Sequence, residues 1–217
     1  MDQLTAQTIP ALFSRFATVF AEQKEALIAL DGKVGDSDLG LTMAKGFAAA
    51  DAAVAALDDA TIETQLKTAG AAIARAAPST MGTLMATGFM RGSAAAKDCD
   101  ALGTAELARF WTAFYEGCAQ RGRAKVGDKT VLDVLHPIAE AMTQQTEAGT
   151  DLPSALSAAH ARAVVALEDS KDLIAQHGKA AAFQDKTRGI QDAGSTVAVI
   201  LIETMAQFVA GVAKAAN

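Results

Sequence analysis

From near its start to near its end the chain repeats apolar residues at helical spacing, and nowhere do they alternate with period two for long enough to build a sheet. The helical stretches cover residues 4–29, 40–57, 60–76, 80–97, 104–121, 130–147, 152–176 and 193–215. Short connections with turn or cap residues separate them, such as Asp58-Asp59, Lys97-Asp98 and Gly149-Thr150-Asp151 ahead of Pro153. This pattern predicts an all-α fold, an eight-helix antiparallel up-and-down barrel or bundle. Aromatics supply only 5% of the residues, so the core is expected to be built from Ala, Leu, Val, Ile and Met. Alanine-rich runs such as GFAAADAAVAAL and AGAAIARAA read as helix faces that let neighbouring axes approach closely. With 217 residues, no fixed repeat and no Pro- or Ser-rich linker, one domain spanning 1–217 is expected.

Composition narrows the function. A net charge of -6 and a pI near 5.0, with scattered lysines and arginines, give no electrostatic footprint for nucleic acid. Cys99 and Cys118 are too few for a disulfide framework and lie far from any histidine pair, which points to free thiols in a reducing compartment. The N-terminus has acid at Asp2 and no basic lead into an apolar run, unlike a secretory signal. No uninterrupted apolar run approaches the ~18 residues of a membrane span, and STVAVILIETMAQFVAGVA, broken by Glu203 and Gln207, reads as a buried helix. A cytoplasmic location, with no membrane and no nucleic-acid partner, is the expectation.

In an up-and-down arrangement the connections after the first, third, fifth and seventh helices fall at the same end. These are residues 30–39, 77–83, 122–130 and 185–194, and a ligand site is expected where they meet. The first is the richest in chemistry. Within ten residues it places Asp31, Asp36 and Asp38 among Gly32, Gly35 and Gly40. Clustered carboxylates repel one another unless a cation neutralises them, and magnesium prefers such oxygen donors. The N–H groups of a helix opening at Gly40 would suit phosphate oxygens. The plainer reading, a solvated loop in which Asp38 caps the next helix, fits this segment alone equally well.

A calcium EF-hand is excluded, because with Asp36 and Asp38 as positions one and three the twelfth is Phe47 rather than Glu. GRAKVGDKT, residues 122–130, has the glycine spacing of a phosphate-binding P-loop, but Asp128 stands where its lysine belongs and no strand precedes it. There Asp128 or Thr130 reads more simply as a helix cap. In APSTMGTLMATGF, Pro78 and Ser79 start a helix, with Gly82 and Gly88 at tight crossings. KTRGIQDAGSTVA adds Lys186 and Arg188 before a tight turn. His136, His160 and His177 are isolated, and no nucleophile is marked out.

Together DGKVGDSDLGLTMAKGF, PSTMGTLMATGF, GDKTVLDVLHP and GIQDAGSTVA, in this order and spacing, resemble the DhaL family, the nucleotide-binding subunit of dihydroxyacetone kinase, also called the DAK2 domain. The resemblance covers essentially the whole chain. It implies an eight-helix barrel binding ADP or ATP at one end through two magnesium ions held by Asp31, Asp36 and Asp38. It also implies nucleotide contacts from Leu39, Gly40, Leu41, Thr42, Thr80, Met81, Gly122, Val131, Lys179, Asp192, Ala193 and Gly194, with no catalytic residue beyond the metal carboxylates. The implied activity is phosphoryl transfer to dihydroxyacetone, or a related small hydroxy-ketone, held by a separate K subunit. A phosphotransferase-system protein or ATP would be the donor, and a homodimer is compatible.

The chain departs from the family pattern G-D-G-D-H-G, with Asn two residues later, at Ser37, Leu39 and Thr42. It departs from G-G-x-S-G at Pro78-Ser79-Thr80-Met81-Gly82, and from H-x-D-P-G at Ile190-Gln191-Asp192-Ala193-Gly194. Lys179 replaces the usual arginine. These changes leave two alternatives to a kinase subunit, a non-catalytic nucleotide- and metal-binding regulatory module and a ligand-free interaction protein.

Overall fold

A computed structural model describes residues 2–215. Within them lie nine α-helices: α1 (Ile9–Glu22), α2 (Lys24–Asp31), α3 (Leu39–Ala55), α4 (Ile62–Ala76), α5 (Thr80–Ala95), α6 (Thr104–Gly122), α7 (Leu132–Glu147), α8 (Leu152–Asp169) and α9 (Ala193–Ala215). Two-residue strands β1 (Leu4–Thr5) and β2 (Ala101–Leu102) form one short antiparallel ladder. The architecture is all-α.

Helix α1 packs on α3, each helix from α3 to α8 packs on its successor, and α9 returns to α1. These eight helices close a ring. From α3 to α8 the connections between packed neighbours are short, which makes successive helices antiparallel, whereas α8 and α9 are joined by the longer segment 170–192. The ninth helix arises because the predicted first one is divided at Gln23, after which α2 packs on α3. Gly40 permits that contact, since a methyl group there would lie 2.1 Å from the Lys24 carbonyl oxygen. The seventh predicted helix is shorter than its periodicity suggested, ending at Asp169 and passing through a 3₁₀ turn at Ser170–Asp172 into irregular chain.

Helix starts follow local chemistry. Thr61 Oγ1 accepts from Thr64 N at 3.2 Å, Ser79 Oγ from Gly82 N at 3.1 Å and Asp151 Oδ1 from Ser154 N at 2.9 Å, each satisfying an N–H that the helix cannot.

The core is one contiguous cluster in which alanines do take the close-packed positions: Ala50, Ala69, Ala155, Ala159 and Ala163 are fully buried. Yet the few aromatics are not spread thinly. Phe13, Phe16, Phe20, Phe47, Phe89, Phe110, Trp111 and Phe114 form one continuous ring network from α1, α3, α5 and α6. Glycines make room for it. A methyl at Gly88 would meet Phe114 at 2.3 Å and one at Gly92 would meet Phe110 at 2.3 Å. Gly82 differs from expectation, because it closes on Ala77 of its own turn, 2.0 Å from that carbonyl oxygen, rather than on a crossing helix.

Helix α9 contains the one stretch among the described residues, Ala193–Gly211, long and apolar enough to cross a membrane, but 56% of it is buried inside the fold. Val197, Ala198, Leu201 and Ile202 are sealed in the core.

Candidate functional site

Asp31 ends α2, and Asp36 and Asp38 lie in the tight loop before α3. One oxygen from each carboxylate lies within 4.8 Å of the others. The loop closes because Gly35 has no side chain: a methyl there would sit 2.2 Å from Asp31 Oδ1. Asp31 Oδ2 accepts hydrogen bonds from Asp38 N at 3.0 Å and Leu39 N at 3.4 Å. This overturns two readings of the segment. The helix opens at Leu39 rather than Gly40, and it is capped by Asp31 from seven residues upstream rather than by Asp38. Asp38 is left facing its neighbours. Partial burial, then the charges of Asp36 and Asp31, raise its carboxyl above the ordinary range.

Ser37, between two of these aspartates, is held at φ 61°, a left-handed conformation that costs an L-residue about 1–2 kcal/mol. Ser37→Gly is therefore expected to stabilise the protein by about 0.5–1 kcal/mol, read as a higher urea midpoint. A lower midpoint would mean that the serine hydroxyl matters more than the backbone.

The segment joining α8 to α9, residues 170–192, is longer than the 185–194 stretch expected from sequence and reaches this cluster directly. Lys179 forms an ion pair with Asp36, and that hydrogen bond is the leading reason its ammonium pKa is raised. Lys179 follows Gly178, which turns at φ 65°. The segment is fastened behind it: Gln176 N donates to Asp128 O at 3.0 Å and His177 Nε2 lies 2.9 Å from Asp128 Oδ2.

The third connection is built around buried polar groups. Asp133, in the first turn of α7, accepts from Gly127 N at 2.6 Å and from Thr130 N at 2.7 Å. Asp128 accepts from Lys125 N at 2.9 Å. Lys129, 4% exposed, donates to the carbonyls of Ser170, Lys171 and Leu173, each at 3.1 Å, so it closes the end of α8. Burial lowers its pKa, against the opposing pull of Asp192 and Asp172. The first N–H of α7 is thus taken by Thr130, whose Oγ1 accepts from Leu132 N at 3.2 Å, while Asp133 fastens the loop ahead of the helix and Asp128 braces that loop against His177.

The second, third and fourth connections meet at Gly194. A methyl there would lie 3.2 Å from Met81 Cε and 3.7 Å from Val131 N, and Ser195 Oγ donates to Thr130 O at 2.8 Å. Asp192 starts α9 by accepting from Ser195 N at 2.6 Å, and withdrawal from water raises its carboxyl. Among the other residues named from sequence, Thr80 and Leu41 are exposed on the first turns of α5 and α3, and Gly122 ends α6 beside Leu84. Leu39, Thr42 and Val131 are buried, so the two apolar ones offer a ligand chiefly their backbone.

Lys129 and Asp133 were not singled out from sequence, and His177 was read only as an isolated histidine. Asp133 carried a signal, an acid in a helix's first turn, whereas the partners of Lys129 and His177 lie more than 40 residues away in the chain.

The Asp128 carboxyl is held below the ordinary carboxylate range, first by the Lys125 N–H and then by His177, against desolvation. Its stabilising effect is complete above the unfolded carboxylate value, about 3.9, and is lost as pH falls through the lower folded value. Thermal melts of wild type and Asp128→Asn should therefore differ most near neutrality and converge as pH falls through the lowered folded-state value. A constant gap would refute the linkage.

Residues 33–207 match the DAK2 domain. The chain is 31% identical to the ADP-binding subunit DhaL of the PEP-dependent dihydroxyacetone kinase of Escherichia coli K12, over 89% of this chain and 92% of that one. It is 30% identical to D-erythrulose kinase of Mycolicibacterium smegmatis, over 94% of this chain but only 36% of that longer one. The fold is similar to the dihydroxyacetone kinase of C. freundii crystallised with AMP-PNP and Mg2+, with a TM-score of 0.71 at 20% identity, covering 93% of this chain and 34% of that one.

Proposed function

The chain belongs to the DAK2-domain family of kinase subunits and domains, and from that premise we propose that it is a magnesium-dependent, ADP- or ATP-binding L-type subunit of a dihydroxyacetone-type kinase. In this reading residues 1–217 act as one domain in the cytoplasm. A terminal phosphoryl group passes to a small hydroxy-ketone, or related sugar, on a partner K subunit. ATP or a phosphotransferase-system protein supplies that group.

The observation that carries the proposal is the convergence of three carboxylates and four connecting segments at one end of the ring. Asp31, Asp36 and Asp38 present hard oxygen donors close enough to share a cation, and two magnesium ions are the family expectation. Magnesium, when bound, supplies charge neutralisation for the phosphates. The chain's own part is positional. The first turns of α3 and α5, through Gly40, Leu41 and Thr80, direct backbone N–H groups and helix dipoles toward anionic oxygens. Lys179 adds an exposed positive charge, and Gly122, Val131 and Asp192 to Gly194 wall the nucleoside end. Phosphoryl transfer depends mostly on such positioning and electrostatics, so a site without a nucleophilic side chain suits it.

A second reading, a regulatory module that binds Mg-nucleotide without turnover, is favoured by one detail. Ser79 Oγ is occupied in capping α5, at the segment where the family pattern has changed. Calorimetry with ADP, with and without magnesium, tests the shared part of both readings. Phosphoryl transfer from ATP in the presence of a K subunit separates them, since turnover eliminates the regulatory module. Failure to bind Mg-ADP would eliminate both and leave a ligand-free interaction protein.

A further inference from the structure

The three clustered aspartates already have a positive partner, and it comes from a segment more than 140 residues further along the chain. We infer that Lys179 is an internal counter-cation that occupies the acid cluster until metal and nucleotide arrive together, so that metal alone binds weakly. The inference rests on the metal site proposed above.

Three observations support it. The Lys179 ammonium pairs with Asp36, whose carboxylate lies within 4.8 Å of ligand atoms from Asp31 and Asp38. Its backbone is held in place, because Gln176 and His177 are fastened to Asp128, Ala175 N donates to Thr187 Oγ1 at 3.0 Å and Gly189 N donates to Lys171 O at 2.7 Å. Its side chain is 67% exposed, so the head group is free to leave while the backbone stays.

A divalent cation entering alone must break the pair and then sit beside the displaced ammonium. When a nucleotide enters with the cation, its phosphates offer Lys179 a second anionic partner within reach. The metal then gains the carboxylate, and the ammonium keeps a counter-charge. Metal and nucleotide therefore raise each other's affinity, and the two effects are equal by linkage. An arginine, the residue usual at this position in the family, preserves the device, whereas a neutral side chain removes it.

The test is calorimetric titration of magnesium into wild type, Lys179→Met and Lys179→Arg, without nucleotide and with saturating ADP. Without nucleotide, Lys179→Met should bind magnesium about thirtyfold more tightly than wild type, the scale of one unit charge removed about 4 Å from a divalent ion in a solvated site. Lys179→Arg should stay near wild type. The gain in magnesium affinity on adding ADP should be smaller for Lys179→Met than for either cationic protein. Equal or weaker magnesium binding by nucleotide-free Lys179→Met overturns the inference, as does an unchanged gain on adding ADP. Those results leave the metal site standing, provided wild type binds Mg-ADP and Asp38→Asn does not. If wild type binds no magnesium even with ADP, the metal site falls and this inference falls with it.

Discussion

Asp38→Asn should weaken magnesium-dependent ADP binding by about 100-fold or more while leaving the metal-free protein at least as stable as wild type. The size follows from the chemistry. Removing a residue that only orients a metal ligand already costs about 10–100-fold, and Asp38 is placed as a ligand itself. The stability half follows from its surroundings. Partial burial and the charges of Asp36 and Asp31 raise the Asp38 carboxyl, so ionisation works against folding. The penalty is present above that raised value and disappears as pH falls through it. The melting advantage of the amide should accordingly shrink on acidification. Asparagine keeps the shape of the side chain, and the bonds from Asp31 to Asp38 N and Leu39 N involve only the Asp38 backbone. Unaltered Mg-ADP affinity in this variant would remove Asp38 from the site.

The largest loss of stability is expected from Phe89→Ala. Phe89, on α5, is 3% exposed, and its ring centroid lies 5.4 Å from Phe13, 6.0 Å from Phe47, 6.1 Å from Phe110 and 5.3 Å from Phe114. It touches rings from three other helices, α1, α3 and α6. Truncation removes the buried ring and leaves a cavity that rigid neighbours close poorly, a loss of about 3–5 kcal/mol. For a chain of this size that corresponds to a melting point lower by about 10 °C. Because the effect lies in the core, Mg-ADP affinity measured below the melting transition should stay within about twofold of wild type. A loss under about 1 kcal/mol would mean that the aromatic network repacks freely, contrary to the close packing of protein interiors.

Helix existence was legible because apolar spacing reports it directly, and six of the eight stretches from sequence appear as single helices, while 4–29 is divided at Gln23 and 152–176 stops at Asp169. The exceptions arise from contacts between segments distant in the chain. Residues 4–29 kept helical periodicity through Gln23, and what divides them is the contact of α2 with Gly40, a tertiary matter. Leu4 and Thr5 are too few to announce a strand, and their partners lie at Ala101 and Leu102. The aromatic network escaped a reading based on composition because 5% of residues can still be gathered at one place.

At the candidate site, the proximity of Asp31, Asp36 and Asp38 was readable from their spacing among glycines. The grouping of the four connections followed from up-and-down topology. What each residue does locally was less readable. Gly40 serves a helix contact, Asp31 caps α3, and Lys129 closes α8 from 41 residues away. Such bonds depend on which elements become neighbours, and local sequence does not carry that information. The left-handed Ser37 is a further case: the family pattern has glycine where the backbone here requires a positive φ.

The central claim is that the aspartate cluster holds the metal that accompanies an adenine nucleotide. Crystals grown with ADP and Mn2+, which substitutes for magnesium in oxygen-donor sites, test it most directly through the anomalous signal of manganese. The account predicts strong anomalous peaks within bonding distance of Asp31, Asp36 and Asp38, with the diphosphate lying between them and the first turns of α3 and α5. Bound ADP with manganese elsewhere, or with no manganese at these carboxylates, would contradict it.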